Sequence, residues 1–294
     1  MNPNAWIPFS DALRRFAAGD AAGAASAAHQ AAAADPSSLL APAAAAYLDR
    51  VATYGKESVY VTGEAFGAFI RSGGNVPLYQ AVSAALRDAY TGYAAIDLLD
   101  IGVGDGLALL PALTPNVRRV DLVEPSPALL VRVTEALEVR ALPYHAFVGT
   151  LQAFTAASHT AWTIAQATFS LQSIPPVQRR EALAWLRGHT ERLLIAEFDV
   201  PDLGTGLDPL WAAHCAERYE LGLAEYAGDG GLVAQGFLMP VFFGYFDPTA
   251  ARTNYEQPIG AWDDDLRAAG FSQVAWRHLY DYWWAPCYLL DARA

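Results

Sequence analysis

The chain has 294 residues, of which 53% are hydrophobic and 17% are charged, and its formal net charge at pH 7 is −12. This balance is typical of a packed globular enzyme and excludes a largely disordered chain. The acidic charge disfavours a nucleic-acid partner, because phosphate binding needs clustered lysines and arginines.

The N-terminal region is predicted to be helical. From 11 to 54 alanine dominates, with larger apolar residues at helical spacing and a break at 35–38. This pattern predicts two packed helices, the second capped by Ser37 or Ser38. Two further helices are expected at 64–71 and 77–90.

A regular alternation of strands and helices follows. The strand-length runs are continuously apolar, which indicates a parallel sheet covered by helices on both faces. A helix ending at Gly270 precedes two runs that should pair as antiparallel strands. We therefore expect an α/β fold, a doubly wound and mostly parallel seven-stranded sheet with an N-terminal helical cap. The predicted strands are 95–102, 117–124, 144–149, 162–169, 192–199, 272–279 and 283–292.

These elements predict the domain organisation. Residues 1–92 form the helical cap region, and 93–294 form the α/β domain, with 203–258 as a helical or lid insertion. Within it, the Gly- and aromatic-rich stretch 230–248 fits a mobile lid or a buried packing segment equally well.

The strongest functional pattern is LLDIGVGDGLALL at 98–110. A strand ends in Asp100, and Gly102, Gly104 and Gly106 precede a helix start. The glycines let the backbone approach a ligand closely, and the helix start offers free N–H groups to it. Leu107 occupies the place of the third glycine of a dinucleotide fingerprint, which disfavours a nicotinamide cofactor.

The charges near this loop indicate a cationic ligand. Asp100 and Asp105 would repel a pyrophosphate but suit an ammonium and a sulfonium. Glu124 ends the second strand, roughly 20 residues from the loop, where a doubly wound site places its ribose-binding acid.

With these motifs, residues from about 96 to the C-terminus resemble the class I S-adenosylmethionine-dependent methyltransferases. The resemblance implies S-adenosylmethionine as cofactor and S-adenosylhomocysteine as product. It places the methionyl part on the Asp100 region, Gly102 and Gly104, and both ribose hydroxyls on Glu124. The remaining cofactor-binding residues expected beside them are Asp105, Gly106, Pro125, Ser126, Thr150, Leu151, Phe169 and Ser170.

The segment after the fourth strand, FSLQSIP, should line the methyl-transfer face with Phe169, Ser170, Leu171 and Gln172, because ligands of open α/β sheets lie beyond the carboxyl ends of the strands. It lacks the Asp/Asn-Pro-Pro pattern of enzymes that methylate nucleic-acid amino groups. Base methylation is therefore disfavoured again.

A second resemblance spans nearly the whole chain. The early helices, AFIRSGGNVPLYQAVSAAL, the glycine-loop segment and GAWDDDLRAAGF resemble the GRAS family, which joins plant regulators to bacterial methyltransferase-like proteins. It implies that 75–79 approaches the cofactor and makes Tyr79 a cofactor contact; Tyr79 fits a core aromatic equally well. The complete glycine loop favours catalysis over scaffolding.

Methyl transfer mainly requires positioning, with a general base sometimes added. Glu197 and Asp199, in AEFDV at the end of the fifth strand, are candidates for a base or a substrate anchor, with helix capping or solvation as the alternative. His214, in a long helix at 209–226, is a third catalytic candidate, and a surface or core histidine is its alternative. Asp263, Asp264 and Asp265 point in different directions on a helix, which predicts favourable dipole contacts at a helix start and no metal site.

The cellular setting is predicted from the cysteines and apolar stretches. Cys215 and Cys287 show neither metal-ligand nor disulfide spacing, so both are expected to be buried in a reducing cytoplasm. No secretory signal or membrane span is expected. The sequence leaves the oligomeric state open.

Together these observations predict a methyltransferase that moves a methyl group to O, N or C of a small, largely apolar molecule. The alternative is a non-catalytic ligand- or cofactor-binding regulator on the same frame. A nicotinamide-dependent oxidoreductase is a weaker third possibility.

Overall fold

The computed structural model describes residues 1–56 and 62–293, which form two compact units. One unit comprises 1–76 and 202–251, and the other comprises 77–201 and 252–294. The helices are α1 (Pro3–Ala17), α2 (Ala21–Ala34), α3 (Leu40–Tyr54), α4 (Gly63–Ile70), α5 (Asn75–Tyr90), α6 (Leu109–Ala112), α7 (Pro127–Val139), α8 (Leu151–Ala157), α9 (Pro176–Arg187), α10 (Pro209–Glu225), α11 (Met239–Gly244) and α12 (Ile259–Ala268). The strands are β1 (Ile96–Ile101), β2 (Val117–Glu124), β3 (Tyr144–Val148), β4 (Trp162–Thr168), β5 (Thr190–Phe198), β6 (Gln273–Asp281) and β7 (Pro286–Arg293).

The second unit contains a sheet to which the described residues contribute seven strands, in the order β3-β2-β1-β4-β5-β7-β6. Strands β1 to β5 run parallel, and β7 runs antiparallel to both β5 and β6. The predicted fold class is confirmed: the sheet is mostly parallel, the buried strands β1, β4 and β5 lie at its centre, and the more exposed β3 and β6 lie at its edges. Phe154, Leu183 and Trp262 from α8, α9 and α12 belong to the core that covers it.

The first unit is helical, and here one prediction was wrong. Residues before 35 form two helices, α1 and α2, so the region to 54 holds three helices. The reason lies in local caps: the Asn2 side chain accepts from Ala5 N at 3.0 Å, and Asp20 accepts from Gly23 N at 2.9 Å. Ser38 does serve the next helix, accepting from Ala41 N at 3.1 Å.

The stretch 230–248 forms a π-helical turn, Ala234–Leu238, followed by α11. Phe242 and Phe243 are fully buried; Phe243 stacks on Tyr47, and Phe242 packs on Phe9. The aromatic half of this stretch is therefore core of the first unit, as the packing interpretation held.

The two cysteines lie in different parts of the fold. Cys215 and Cys287 are both buried, as expected, and neither forms a disulfide. Among the described residues, no helix is both long and apolar enough to cross a membrane. The domain limits 1–92, 93–294 and 203–258 stay a prediction; the compact units divide the chain near 76 because most of α5 packs with the sheet.

Candidate functional site

The loops that follow β1, β2 and β3 meet at Glu124, the last residue of β2. Its carboxylate accepts from Gly104 N at 3.0 Å and from Ser126 N at 2.9 Å. Its backbone carbonyl accepts from Gly149 N at 3.1 Å. The side chain is largely buried, so these bonds form in a weakly screened environment. Glu124 thus fixes the geometry of the glycine loop.

The glycine loop adopts backbone angles that favour glycine. Gly102, Gly104 and Gly106 have φ values of +67°, +58° and +82°. A Cβ on Gly102 would lie 2.4 Å from the Ser170 Cβ, whereas a Cβ on Gly104 would meet no atom within 4 Å. The loop is therefore packed beneath Gly102 and open beside Gly104.

Asp100, at the end of β1, is held from the neighbouring strand. Gln166 Nε2 donates to its Oδ2 at 2.6 Å, and Tyr90 OH donates to Gln166 Oε1. All three side chains are buried. Burial raises the pKa of Asp100 to about 7, Gln166 opposes this rise, and the charge of Glu124 adds to it.

Beyond β4 the chain turns sharply. Phe169 has a φ of +51°, an unusual value for a bulky residue. Its ring stacks on Phe198 at 4.5 Å between centroids and meets Tyr79 edge-on at 5.8 Å. Ser170 Oγ donates to Ile101 O at 2.7 Å, which ties this turn to the glycine loop. The structure thus brings Phe169, Ser170 and Tyr79 together beside the loop.

Glu197, in β5, is almost fully buried and accepts from Gln172 N at 3.2 Å. Burial raises its pKa to about 8; the bond from Gln172 lowers it, and the charge of Glu256 raises it. Glu197 is therefore mostly a neutral acid near pH 7. Its bond to the Gln172 backbone links β5 to the turn that follows β4.

The other two catalytic candidates have different surroundings. Asp199 Oδ1 accepts from Ile259 N at 2.8 Å, at the start of α12, so it serves as a helix cap. His214 is half-buried in α10 of the first unit, and burial lowers its pKa.

The remaining residues predicted to contact the cofactor have different surroundings. Asp105 lies 3.6 Å from Arg132 of α7, so its charge is already balanced. Thr150 caps α8 by accepting from Ala153 N at 3.2 Å, and the Leu151 side chain is buried. Pro125, between Glu124 and α7, is exposed.

The predicted helix-start role of the three aspartates was wrong, because α12 begins at Ile259 and its first turn holds no acid. Asp263 pairs instead with Arg267 at 2.8 Å, and Asp265 lies 3.7 Å from the fully buried Arg179. Across 1–56 and 62–293, no group of three or more His, Cys, Asp or Glu residues could hold a metal ion.

Sequence reasoning missed Gln166 and Tyr90. A signal existed for the first: Gln166 is the lone amide in the apolar run WTIAQATF, and a buried amide needs hydrogen-bond partners. Nothing in the sequence marked Tyr90, because an aromatic residue at a helix end is ordinary core material.

A separate cleft of about 380 Å³ lies in the second unit. Arg119, His145 and His159 contribute polar groups to it, and Trp162 at the start of β4 contributes its indole. None of the predicted site residues lines this cleft. Because ligands of open α/β sheets lie at the carboxyl ends of strands, the glycine-loop edge remains the candidate site.

Structures similar to this chain share its fold. Magnesium protoporphyrin IX methyltransferase from Synechocystis PCC 6803 with bound S-adenosylhomocysteine is 16% identical, at a TM-score of 0.51, over 82% of this chain and 99% of that one. The same enzyme with bound S-adenosylmethionine aligns at 13% identity and a TM-score of 0.50, over 82% and 96%. An O-methyltransferase family protein from Burkholderia thailandensis is 15% identical at a TM-score of 0.49, over 74% of this chain; the chain spans 56% of its length. Neither a protein-family model nor a curated protein matches the sequence.

Proposed function

We propose that this protein is an S-adenosylmethionine-dependent methyltransferase that acts on a small, largely apolar molecule. The observation that carries the proposal is the hydrogen bond from Gly104 N to Glu124. It joins a glycine loop to a buried acid at the next strand end, in a fold that is similar to that of a solved methyltransferase structure. At this edge a doubly wound sheet binds its ligand.

The residues present fit such a cofactor. Open space beside Gly104 leaves room for a ligand against the loop backbone. A carboxylate has about four acceptor positions, so Glu124 can accept from two ribose hydroxyls besides Gly104 N and Ser126 N. Asp100 places a second acid beneath the loop. The two acids, Asp100 and Glu124, suit a ligand that carries an ammonium and a sulfonium.

When bound, the cofactor supplies an electrophilic methyl group; the chain has to position the acceptor and exclude water. Phe169, Phe198 and Tyr282 form a continuous stack beyond β4 and β5, which provides an apolar wall. This wall favours an acceptor with a planar apolar body, methylated at O, N or C. The strained φ of Phe169 costs on the order of 1–3 kcal/mol, as at other functional sites.

We propose Glu197 as the acid–base group of this site before Asp199 or His214. A pKa near neutrality allows a carboxyl to hold or release a proton at working pH. Asp199 already accepts from Ile259 N at the start of α12. The net charge of −12 supports a small-molecule acceptor over a nucleic acid. Two buried cysteines outside any disulfide support a cytoplasmic setting.

The alternative function is a regulator that binds the cofactor or another ligand without turnover. The resemblance to the GRAS family supports it, because that family includes non-catalytic members. A nicotinamide-dependent oxidoreductase is disfavoured by Leu107 in the glycine loop.

Native mass spectrometry with S-adenosylmethionine and S-adenosylhomocysteine tests the proposal directly. We expect both to bind, and Glu124→Ala to weaken both strongly, since it removes the ribose acceptor and frees the loop. Gln152→Met, on α8, is the matched surface control. Folded wild-type protein that binds neither ligand would refute the proposal. Binding without methyl transfer to any acceptor in a labelled-methyl screen would favour the regulator.

A further inference from the structure

Three buried side chains form a continuous hydrogen-bonded chain beneath the glycine loop. Tyr90 comes from α5, Gln166 from β4 and Asp100 from β1, and the parallel register sets Gln166 opposite Asp100. Tyr90 and Gln166 are fully buried, and Asp100 is 3% exposed. Such groups are rarely buried without a defined partner for each polar atom.

The chain has a direction that the chemistry of its members dictates. An ionised carboxylate can only accept, so against ionised Asp100 only one orientation of the Gln166 amide makes both hydrogen bonds. Tyr90 OH donates to Oε1, which leaves Nε2 facing Asp100 Oδ2 at 2.6 Å. By fixing the Gln166 amide, Tyr90 keeps the donor Nε2, and not the acceptor Oε1, next to the carboxyl of Asp100.

The charged and titratable groups around Asp100 come from two neighbouring elements. Glu124 of β2 raises its pKa, and Tyr90 of α5 stays neutral because burial raises the Tyr90 pKa. Burial itself disfavours the ionised carboxyl. Against these effects, Gln166 favours ionised Asp100 by donating to it.

We infer that Gln166 is a positioning residue that holds the Asp100 carboxyl in one orientation beneath the glycine loop, where its ionised form would favour a cationic ligand, with Tyr90 fixing the Gln166 amide. This inference rests on the proposed function. It assigns Gln166 and Tyr90 a role through Asp100, without contact to the cofactor.

Carbon-13 NMR of the Asp100 carboxyl in the ligand-free protein tests the chain without any activity measurement. The Asp100→Asn spectrum assigns the signal. Because Gln166→Met keeps the size of the side chain and removes the donor, it should raise the Asp100 pKa by about one to two units. Tyr90→Phe removes a single oxygen and should give a smaller rise, which keeps the test valid if Gln166→Met fails to fold. Gln152→Met should cause no change.

Calorimetry with S-adenosylhomocysteine from pH 6 to pH 8 tests the effect on binding. Gln166→Met should weaken binding about tenfold near pH 7, with a loss that shrinks as pH rises. An unchanged Asp100 titration, or a loss of binding independent of pH, would overturn the role of Gln166. Absence of binding by the wild type would overturn the proposed function, and with it the role of Asp100 toward the cofactor.

Discussion

Replacing Gly102 with alanine should damage the glycine loop more than the same change at Gly104. Both positions have positive φ, so each substitution costs about 1–2 kcal/mol for the left-handed backbone. The new Cβ on residue 102 would also lie 2.4 Å from the Ser170 Cβ, whereas that on residue 104 meets nothing within 4 Å. Overpacking of this kind adds about 1–3 kcal/mol.

The turn at Ser170 cannot move away from a new side chain at position 102 without breaking hydrogen bonds of its own. Ser170 Oγ donates to Ile101 O at 2.7 Å, and Phe169 N donates to Ala196 O at 3.0 Å. We therefore expect Gly102→Ala to lower the free energy of unfolding by about 2–5 kcal/mol, and Gly104→Ala by only the backbone part. Urea denaturation followed by circular dichroism measures both values.

A double-mutant cycle isolates the contact. Ser170→Gly removes the Cβ that obstructs the new side chain, so it should recover most of the extra loss when combined with Gly102→Ala. Gly260→Ala, in α12, is the control: its Cβ meets no atom within 4 Å, and we expect no loss of stability. Additive effects of Gly102→Ala and Ser170→Gly, or equal losses at 102 and 104, would refute the reasoning.

Three further predictions concern the side chains of Glu197, Asp199 and Arg179. The pKa of Glu197 is raised from 4.5 to about 8 in the folded state, so folding binds a proton in this pH range. The free energy of unfolding should therefore fall as the pH rises from 5 to 8. Glu197→Gln should make the free energy of unfolding less dependent on pH, as measured by urea denaturation at pH 5 and pH 8. Asp199→Ala should cost about 1 kcal/mol by uncapping α12 at Ile259, without weakening S-adenosylhomocysteine in calorimetry, and a large loss of binding would restore Asp199 as a site residue. Arg179→Leu should lower the thermal midpoint strongly, because it removes the hydrogen bonds that Arg179 donates to Tyr255 O and to Gln257 Oε1, and also one cationic partner of Asp265. The double change with Asp265→Leu should recover only the part of the loss that is due to Asp265, and no recovery at all would contradict the pairing.

The sequence was sufficient for the fold of the second unit because the central strands β1, β4 and β5 are rich in consecutive apolar residues and alternate with helices in a regular order. The runs at 117–124, 144–149 and 162–169 became β2, β3 and β4 with almost the predicted bounds. The N-terminal helices were harder, because a run of alanines fits a helix at any register. The caps at Asn2 and Asp20 decide where those helices begin.

The loops of the candidate site could be predicted from the sequence, but the hydrogen bonds between them could not. The position of Glu124 at a strand end follows from its spacing to the loop, yet its bond to Gly104 N depends on the rotamer of one side chain. Asp199 and Glu197 are two residues apart, and only the fold shows that one caps α12 while the other is buried. Hydrogen-bond partners distant in sequence leave no local pattern.

The partner of Gly104 N also bears on what the loop can bind. In phosphate-binding loops the backbone N–H groups point at the anion, and the helix that follows adds its positive end. Here Gly104 N already donates a hydrogen bond to the Glu124 carboxylate, and α6 after the loop is a single short turn, Leu109–Ala112. A phosphate at this place would lose that donor and face the charges of Glu124 and Asp100. A cationic ligand meets neither obstacle, which is why the loop geometry itself favours S-adenosylmethionine over a dinucleotide.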